Sequence, residues 1–222
     1  RSTLFPYTTL FRSLRYDEVA TLKSEKETAA SNLETQKKGL EDQQEQAAAD
    51  ADAAAKRIAE IDAANRAAYE SGQDTGVSSE SIGADSLGDG YIGHPISGPL
   101  SVTSPFGYRV HPVTGVGTGH QGTDFAAADG TPQYAAVSGV ATYWDSASCG
   151  TGIDINAGYI DGHSYVITLC HLSGRAIADG QQVSRGDIVG YTGSTGYATG
   201  PHVHFQVAQD GVYIDPMTLP GF

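Results

Sequence analysis

Apolar positions along the 222-residue chain fall into two regimes. From Leu14 to about Ser71 there is no Pro and a single Gly, Gly39, and the residues are mostly Ala, Glu, Gln, Lys and Asp, the composition of a long helix. A seven-residue spacing through Val19, Lys26, Leu33, Leu40, Ala47, Ala54, Ile61 and Ala68 makes one seam of a heptad. The companion positions Leu22, Ala29, Gln36, Gln43, Asp50, Arg57 and Ala64 are apolar only at the ends, so the second seam is thin. The pattern predicts a coiled-coil-like helical arm over residues 14–71. It would fray alone and calls for a helical partner or self-association with a second copy, the alternative being a solvated spacer.

Residues 72–92 are rich in Ser, Gly and Asp and read as a flexible linker, because they hold too little apolar surface to fold. Beyond it, over residues 93–222, short β-favouring runs alternate with Gly-Pro, Asp-Gly and Ser-Gly turns, and no useful amphipathic helix interrupts them. Candidate strands are Gln133–Ala136, Gly139–Trp144, Gly152–Asn156, Ser164–Cys170, Ile188–Tyr191 and Val203–Val207. The predicted fold class is mainly β: a small antiparallel β-sandwich domain with a groove, preceded by a long N-terminal α-helix and the linker. About 130 residues suffice for a single core.

Charge narrows the partners. With 13 Lys and Arg against 26 Asp and Glu, the formal charge of −13 argues against nucleic acid or an anionic membrane surface. No apolar run approaches the roughly 18–20 residues of a membrane span. Thr3 to Ser13 resembles the in-frame translation of a common short-read sequencing adapter, so residues 1–13 are read as a sequence-assembly artefact, with the true N-terminus and any export signal missing. If the runs around Asp161-Gly162 form a hairpin, counting outward brings Cys149 opposite Cys170, which predicts a cross-strand disulfide rather than two buried thiols.

Candidate chemistry gathers at two stretches. On a strand, His202 and His204 point to one face while Val203 and Phe205 point into a core. By itself this His-x-His could equally be a surface pair. His120 and Asp124 would lie about 13 Å apart on a straight strand, too far for one zinc ion, so the chain must bend or turn there, a freedom that Gly119 and Gly122 supply. Two imidazoles and one carboxylate, with a position left for water, are the ligands of a catalytic zinc site.

The motifs His120-x-Gly122-x-Asp124-x-Ala126, Gly130-Thr131-Pro132, Cys170-His171-Leu172, Gly190 to Gly196 and Ala198 to Phe205, in this order and with Ser104 to Pro112 upstream, closely resemble the lysostaphin-type (LytM) zinc endopeptidases of bacterial cell walls. The resemblance runs from about residue 95 to Pro216. It implies a zinc-dependent hydrolase of peptidoglycan cross-bridges or stem peptides, acting outside the cytoplasm. It also implies His120, Asp124 and His204 as Zn2+ ligands, with His202 and His171 as catalytic histidines off the metal, one taking the proton of water and the other serving the oxyanion or the leaving amine. Tyr108, Tyr191 and Tyr197 are candidate substrate contacts. Gln206 departs from the pattern, standing where many relatives carry an acidic residue. His94, His111 and His163 are read as structural. An inactive domain that regulates another wall hydrolase is the rival reading, opposed by the full set of five site residues; a phage-borne lysin of the same chemistry is equally compatible.

Overall fold

The computed structural model describes residues 6–73, 87, 90–110 and 117–222; the centre of the linker and His111 lie outside the described residues. Helix α1 spans Pro6–Glu70, and therefore begins inside the segment read as foreign, with Pro at the first helical position, where its missing N–H costs nothing. The chain divides at residue 45 into two compact units. In the first, the helix side chains are exposed from residue 15 to residue 42. The second runs from Gln46 to Phe222 and contains the last third of α1 together with every strand. Among the described residues no helix is long and apolar enough to cross a membrane.

The strands follow in order: β1 Val102–Ser104, β2 Gly107–Val110, β3 Gly117–His120, β4 Thr123–Ala126, β5 Pro132–Tyr134, β6 Gly139–Ser146 and β7 Gly150–Ile160. After these come β8 His163–Cys170, β9 Leu172–Arg175, β10 Gln181–Val183, β11 Ile188–Thr192, β12 His202–Gln209 and β13 Val212–Ile214. An eight-stranded sheet orders β1-β4-β12-β8-β7-β6-β10, with β13 also paired to β12. A three-stranded sheet orders β5-β11-β9, β2 and β3 form a ribbon, and all pairings are antiparallel. Five of the six runs expected from sequence lie within strands here; of Gln133–Ala136 only Gln133 and Tyr134 do, in β5. The short β1, β2, β3, β4, β9, β10 and β13 carried no alternation long enough to reveal them.

The large sheet has two different faces. Ile153, Ile155, Ile167, Leu169, Val203, Phe205 and Val207 are buried on one face, together with Leu172 and Val189 of the small sheet, and form the main core. Ile92 is 1% exposed in this core, so the domain begins inside the stretch read as linker. On the opposite face the intervening residues are polar or small: Asp154, Asn156, Ser164, Thr168, Gln206 and Ala208. Part of that face is covered by α1, where Ile58 is fully buried with Val166 and Ala208. The apparent heptad seam is thereby explained for Ala47, Ala54 and Ile61, because in residues 46–70 it faces the sheet. The polar companions Asp50 and Arg57 bond to the sheet's own polar groups.

Candidate metal centre and cleft

The central position of β12 builds the site. His204 pairs across the ladder with Asp124 of β4 on one side and with Cys170 of β8 on the other. Directly opposed residues have neighbouring side chains on the same face. His120 ends β3, the chain bends at Gln121-Gly122, and Asp124 follows in β4, which is the bend that the spacing required. Gly122 allows it by close approach: a Cβ there would fall 2.5 Å from the Phe205 carbonyl oxygen and 3.0 Å from the His204 ring.

Three buried donor atoms converge. His204 Nδ1 lies 2.7 Å from Asp124 Oδ1, and His120 Nε2 lies 3.1 Å from both His204 Nδ1 and Asp124 Oδ1. Donors about 2 Å from one tetrahedral zinc would stand roughly 3.3 Å apart, so the trio can close on a metal ion with shifts of a few tenths of an ångström. The far side of the His120 ring is already committed, with Nδ1–H donating to the Pro105 carbonyl at 2.8 Å, which turns Nε2 inward. Burial alone would raise the pKa of Asp124, but hydrogen bonds from His120 and His204 outweigh it and hold the carboxyl well below the usual range. These three atoms lie close enough together to hold a metal ion.

Two further imidazoles face the trio. Their ring centroids are 4.7 Å apart, and His202 Nε2 stands 3.7 Å from Asp124 Oδ1. Each Nδ1 is taken by a backbone carbonyl, that of Thr195 for His171 and that of Gly200 for His202, so each turns the lone pair of Nε2 to the cleft. His171 sits between β8 and β9 at φ +61, where the chain passes from the large sheet to the small one. A disulfide joins Cys149 to Cys170 beside it, and the His171 N–H donates to the Cys149 carbonyl. Burial, reinforced by the charge of His204, pushes the His171 pKa down to about 3, so the ring is neutral at pH 7. The donor role expected for it is therefore not available in the resting state.

Two cavities meet at this centre. One, of about 830 Å3, is bounded by Ser104, Pro105, Asp124, His171, Tyr197 and His202. The other, of about 200 Å3, lies between the His120, His204 and Gln206 side and Asp50, Ala51 and Ala54 of α1. Tyr197 borders both. Tyr108 and Tyr191 border neither: Tyr108 is 84% exposed with its ring over Gly117, and Tyr191 lies on β11 beside Gly174. His163 is exposed and pairs with Asp210, while His94 packs edge-on against Phe222. The carbonyls of Pro105, Thr195 and Gly200 left no signal in the sequence, because backbone acceptors carry no residue type. Nor did it mark Asp50 or Trp144 as cleft residues, since their neighbours come from distant parts of the chain.

A family model described as Peptidase family M23 matches residues 118–216, a span that includes all five site residues. The catalytic domain of lysostaphin from Staphylococcus simulans is 32% identical, with 53% of this chain and 90% of that one covered, at a TM-score of 0.46. The chain belongs to peptidase family M23. Within the family, the DD-carboxypeptidase/endopeptidase Mpg of Neisseria meningitidis is 40% identical over 119 residues, 53% of this chain and 26% of that protein. A zinc-containing peptidase from Vibrio cholerae is 34% identical, covering 57% of this chain and 39% of that one, with a TM-score of 0.51. This M23 chain thus spans roughly a quarter to a third of the length of the curated relatives it matches.

Proposed function

We propose that this M23 domain is a zinc-dependent endopeptidase that hydrolyses peptide bonds in bacterial peptidoglycan, in cross-bridges or stem peptides, outside the cytoplasm. The observation that carries this reading is the convergence of His120 Nε2, Asp124 Oδ1 and His204 Nδ1 at one wall of a cleft, with the imidazoles of His171 and His202 facing them. The names of the relatives supply the substrate class. When bound by these three residues, zinc supplies a Lewis acid that acidifies water and polarises the scissile carbonyl.

The chain's own residues do the rest. His202, at the open end and with Nε2 free, takes the proton of the attacking water. His171, neutral and with Nε2 as acceptor, orients that water. On receiving from His202 the proton taken from that water, His171 Nε2–H donates to the oxyanion and hands the proton on to the leaving amine. Tyr197 borders the path of the peptide through the cleft.

The test is metal analysis of the full chain together with solubilisation of purified cell wall. One zinc per chain, with release of wall fragments that a chelator stops and added zinc restores, is expected. A wild-type chain that takes up no zinc and leaves wall intact overturns the reading.

A further inference from the structure

His171 is gripped by two segments that lie outside the strands. The turn between β6 and β7, residues 147–149, offers the Cys149 carbonyl to the His171 N–H and the Ser148 carbonyl to the Tyr197 N–H, each at 2.8 Å. The loop before β12 offers the Thr195 carbonyl, which accepts His171 Nδ1–H at 2.7 Å. The Thr195 hydroxyl links turn, loop and histidine: it accepts the Thr151 N–H at 3.1 Å and donates to the Leu172 carbonyl at 3.0 Å. Turn and loop also meet as backbone, since a Cβ on Gly150 would strike Thr195 and one on Gly196 would strike Gly150 and Ser148. A single covalent bond ties this frame together. The Cys149–Cys170 disulfide fastens the turn to the end of β8, one residue before His171.

The candidate metal donors rest on other supports. His204 and Asp124 face each other in the β12–β4 ladder, and the His120 ring is fixed by the Pro105 carbonyl. Those contacts do not pass through the bridge, whereas without it the turn keeps only hydrogen bonds. His171 also has φ +61, a conformation that a residue other than glycine keeps only where its surroundings impose it. Loosening the turn therefore acts on His171 and Tyr197, which both border the larger cavity, and spares the donor trio. A misplacement of about 1 Å at a reacting group can cost on the order of a hundredfold in rate. Both cysteines line the smaller cavity, which puts the bridge within reach of a small reductant.

We propose that the Cys149–Cys170 disulfide and the Thr195 hydroxyl are positioning groups for hydrolysis: they hold His171 in register with the metal donors, so that the oxidised chain turns over and the reduced chain binds zinc but turns over slowly. Reduction is a thiol–disulfide exchange with a dithiol. Two electrons and two protons pass to the cystine, its S–S bond breaks to give two thiols, and the dithiol becomes a disulfide; an oxidised dithiol carrier reverses the step. The proposal rests on the endopeptidase reading for the reaction that slows, but not for the hold on His171.

The test uses the zinc-loaded full chain in three forms: oxidised, reduced by a phosphine, and as a Cys149→Ser, Cys170→Ser variant. Thr195→Val removes the hydroxyl of the frame, and Thr195→Ser keeps it. Metal content, hydrogen exchange of β7 and β8, and the NMR signal of the His171 Nδ1–H proton, assigned by its absence from His171→Asn, separate the frame from the fold. Reduction and the serine pair are expected to leave one zinc per chain and protected β7 and β8. They should lose the Nδ1–H signal to exchange with water and slow wall release by about tenfold or more. Reoxidation of the reduced chain should restore both. Thr195→Val should show the same losses with the bridge intact, and Thr195→Ser should show neither. An unchanged Nδ1–H signal in the reduced, folded chain overturns the proposal. So does loss of zinc along with the signal, which would make the bridge a support of the whole site, and so does loss of β7 and β8 protection in both the reduced chain and the serine pair, which would make it a staple of the fold. If the signal disappears on reduction yet no form liberates wall fragments, the frame stands and the peptidoglycan reading falls. If oxidised and reduced chains digest wall equally, the frame falls and the hydrolase stands.

Discussion

His202 and His204 are two residues apart on one strand face, yet the structure makes them unequal. His204 Nδ1 sits 2.7 Å from Asp124 Oδ1 within the donor trio, whereas His202 turns toward the open cavity with Nε2 3.7 Å from the same oxygen. Replacing His204 by Ala should abolish stoichiometric zinc, while His202→Ala should keep the metal and lose hydrolysis; metal analysis beside a wall-release assay separates the two. His171 gives a prediction in pH. Its pKa falls from an ordinary 6.5 to about 3 through burial and the nearby His204, so below about 6.5 the unfolded chain takes up a proton that the folded ring refuses. The stability this group contributes is complete above about 6.5 and is lost progressively as pH falls toward 3. In metal-free protein, the thermal midpoint of wild type should therefore fall more steeply across that window than that of His171→Asn, a residue that also tolerates positive φ. Parallel curves would show that His171 is not held neutral. At this scale the sequence motifs named five side chains that the fold brings together. They were silent on tautomer, because the carbonyls that fix it belong to Pro105, Thr195 and Gly200, placed by the path of the chain.

Among the elements, β12 was legible because its polar and apolar positions alternate from His202 to Val207, and β6, β7 and β8 because β-favouring runs stand between turn residues. β4 was not, since Thr123 and Asp124 are buried polar residues in a four-residue strand, a pattern that periodicity reads as loop. The turn before β12 carries a sharp constraint. Gly196 has φ +73, and a Cβ there would lie 2.3 Å from the Gly150 nitrogen, with backbone on both sides. Gly196→Ala should cost more than about 1 kcal/mol in denaturant unfolding. It should also lower activity, because the neighbouring Thr195 carbonyl orients His171. Unchanged stability would mean that the turn can open without loss. The helix shows the opposite case: its heptad spacing was plain in the sequence, but residues 46–70 answer to a sheet, and Arg57 and Asp50 of the thin seam meet Asp154 and the Ser148 N–H.

Across the whole second unit, metal binding and folding are coupled, since the candidate donors come from β3 of the ribbon and from β4 and β12 of the large sheet, which meet only in the folded domain. Zinc binds the native state alone to a good approximation, so it should raise the thermal midpoint in a concentration-dependent way and a chelator should lower it, measurable by calorimetry on the full chain. An unchanged midpoint would show that the trio does not hold zinc. By itself the sequence pointed to the helix, the β domain and the disulfide partners, and it singled out the five candidate site residues. These depend on local periodicity, on turn chemistry and on motifs whose residue types follow from the reaction. Only the tertiary structure decided which face of the sheet the helix covers, which cavity Tyr197 rather than Tyr108 or Tyr191 borders, and which ring nitrogen meets the cleft. Those are relations between residues far apart in the chain, set by how two sheets and a helix pack, and no spacing along the sequence encodes them.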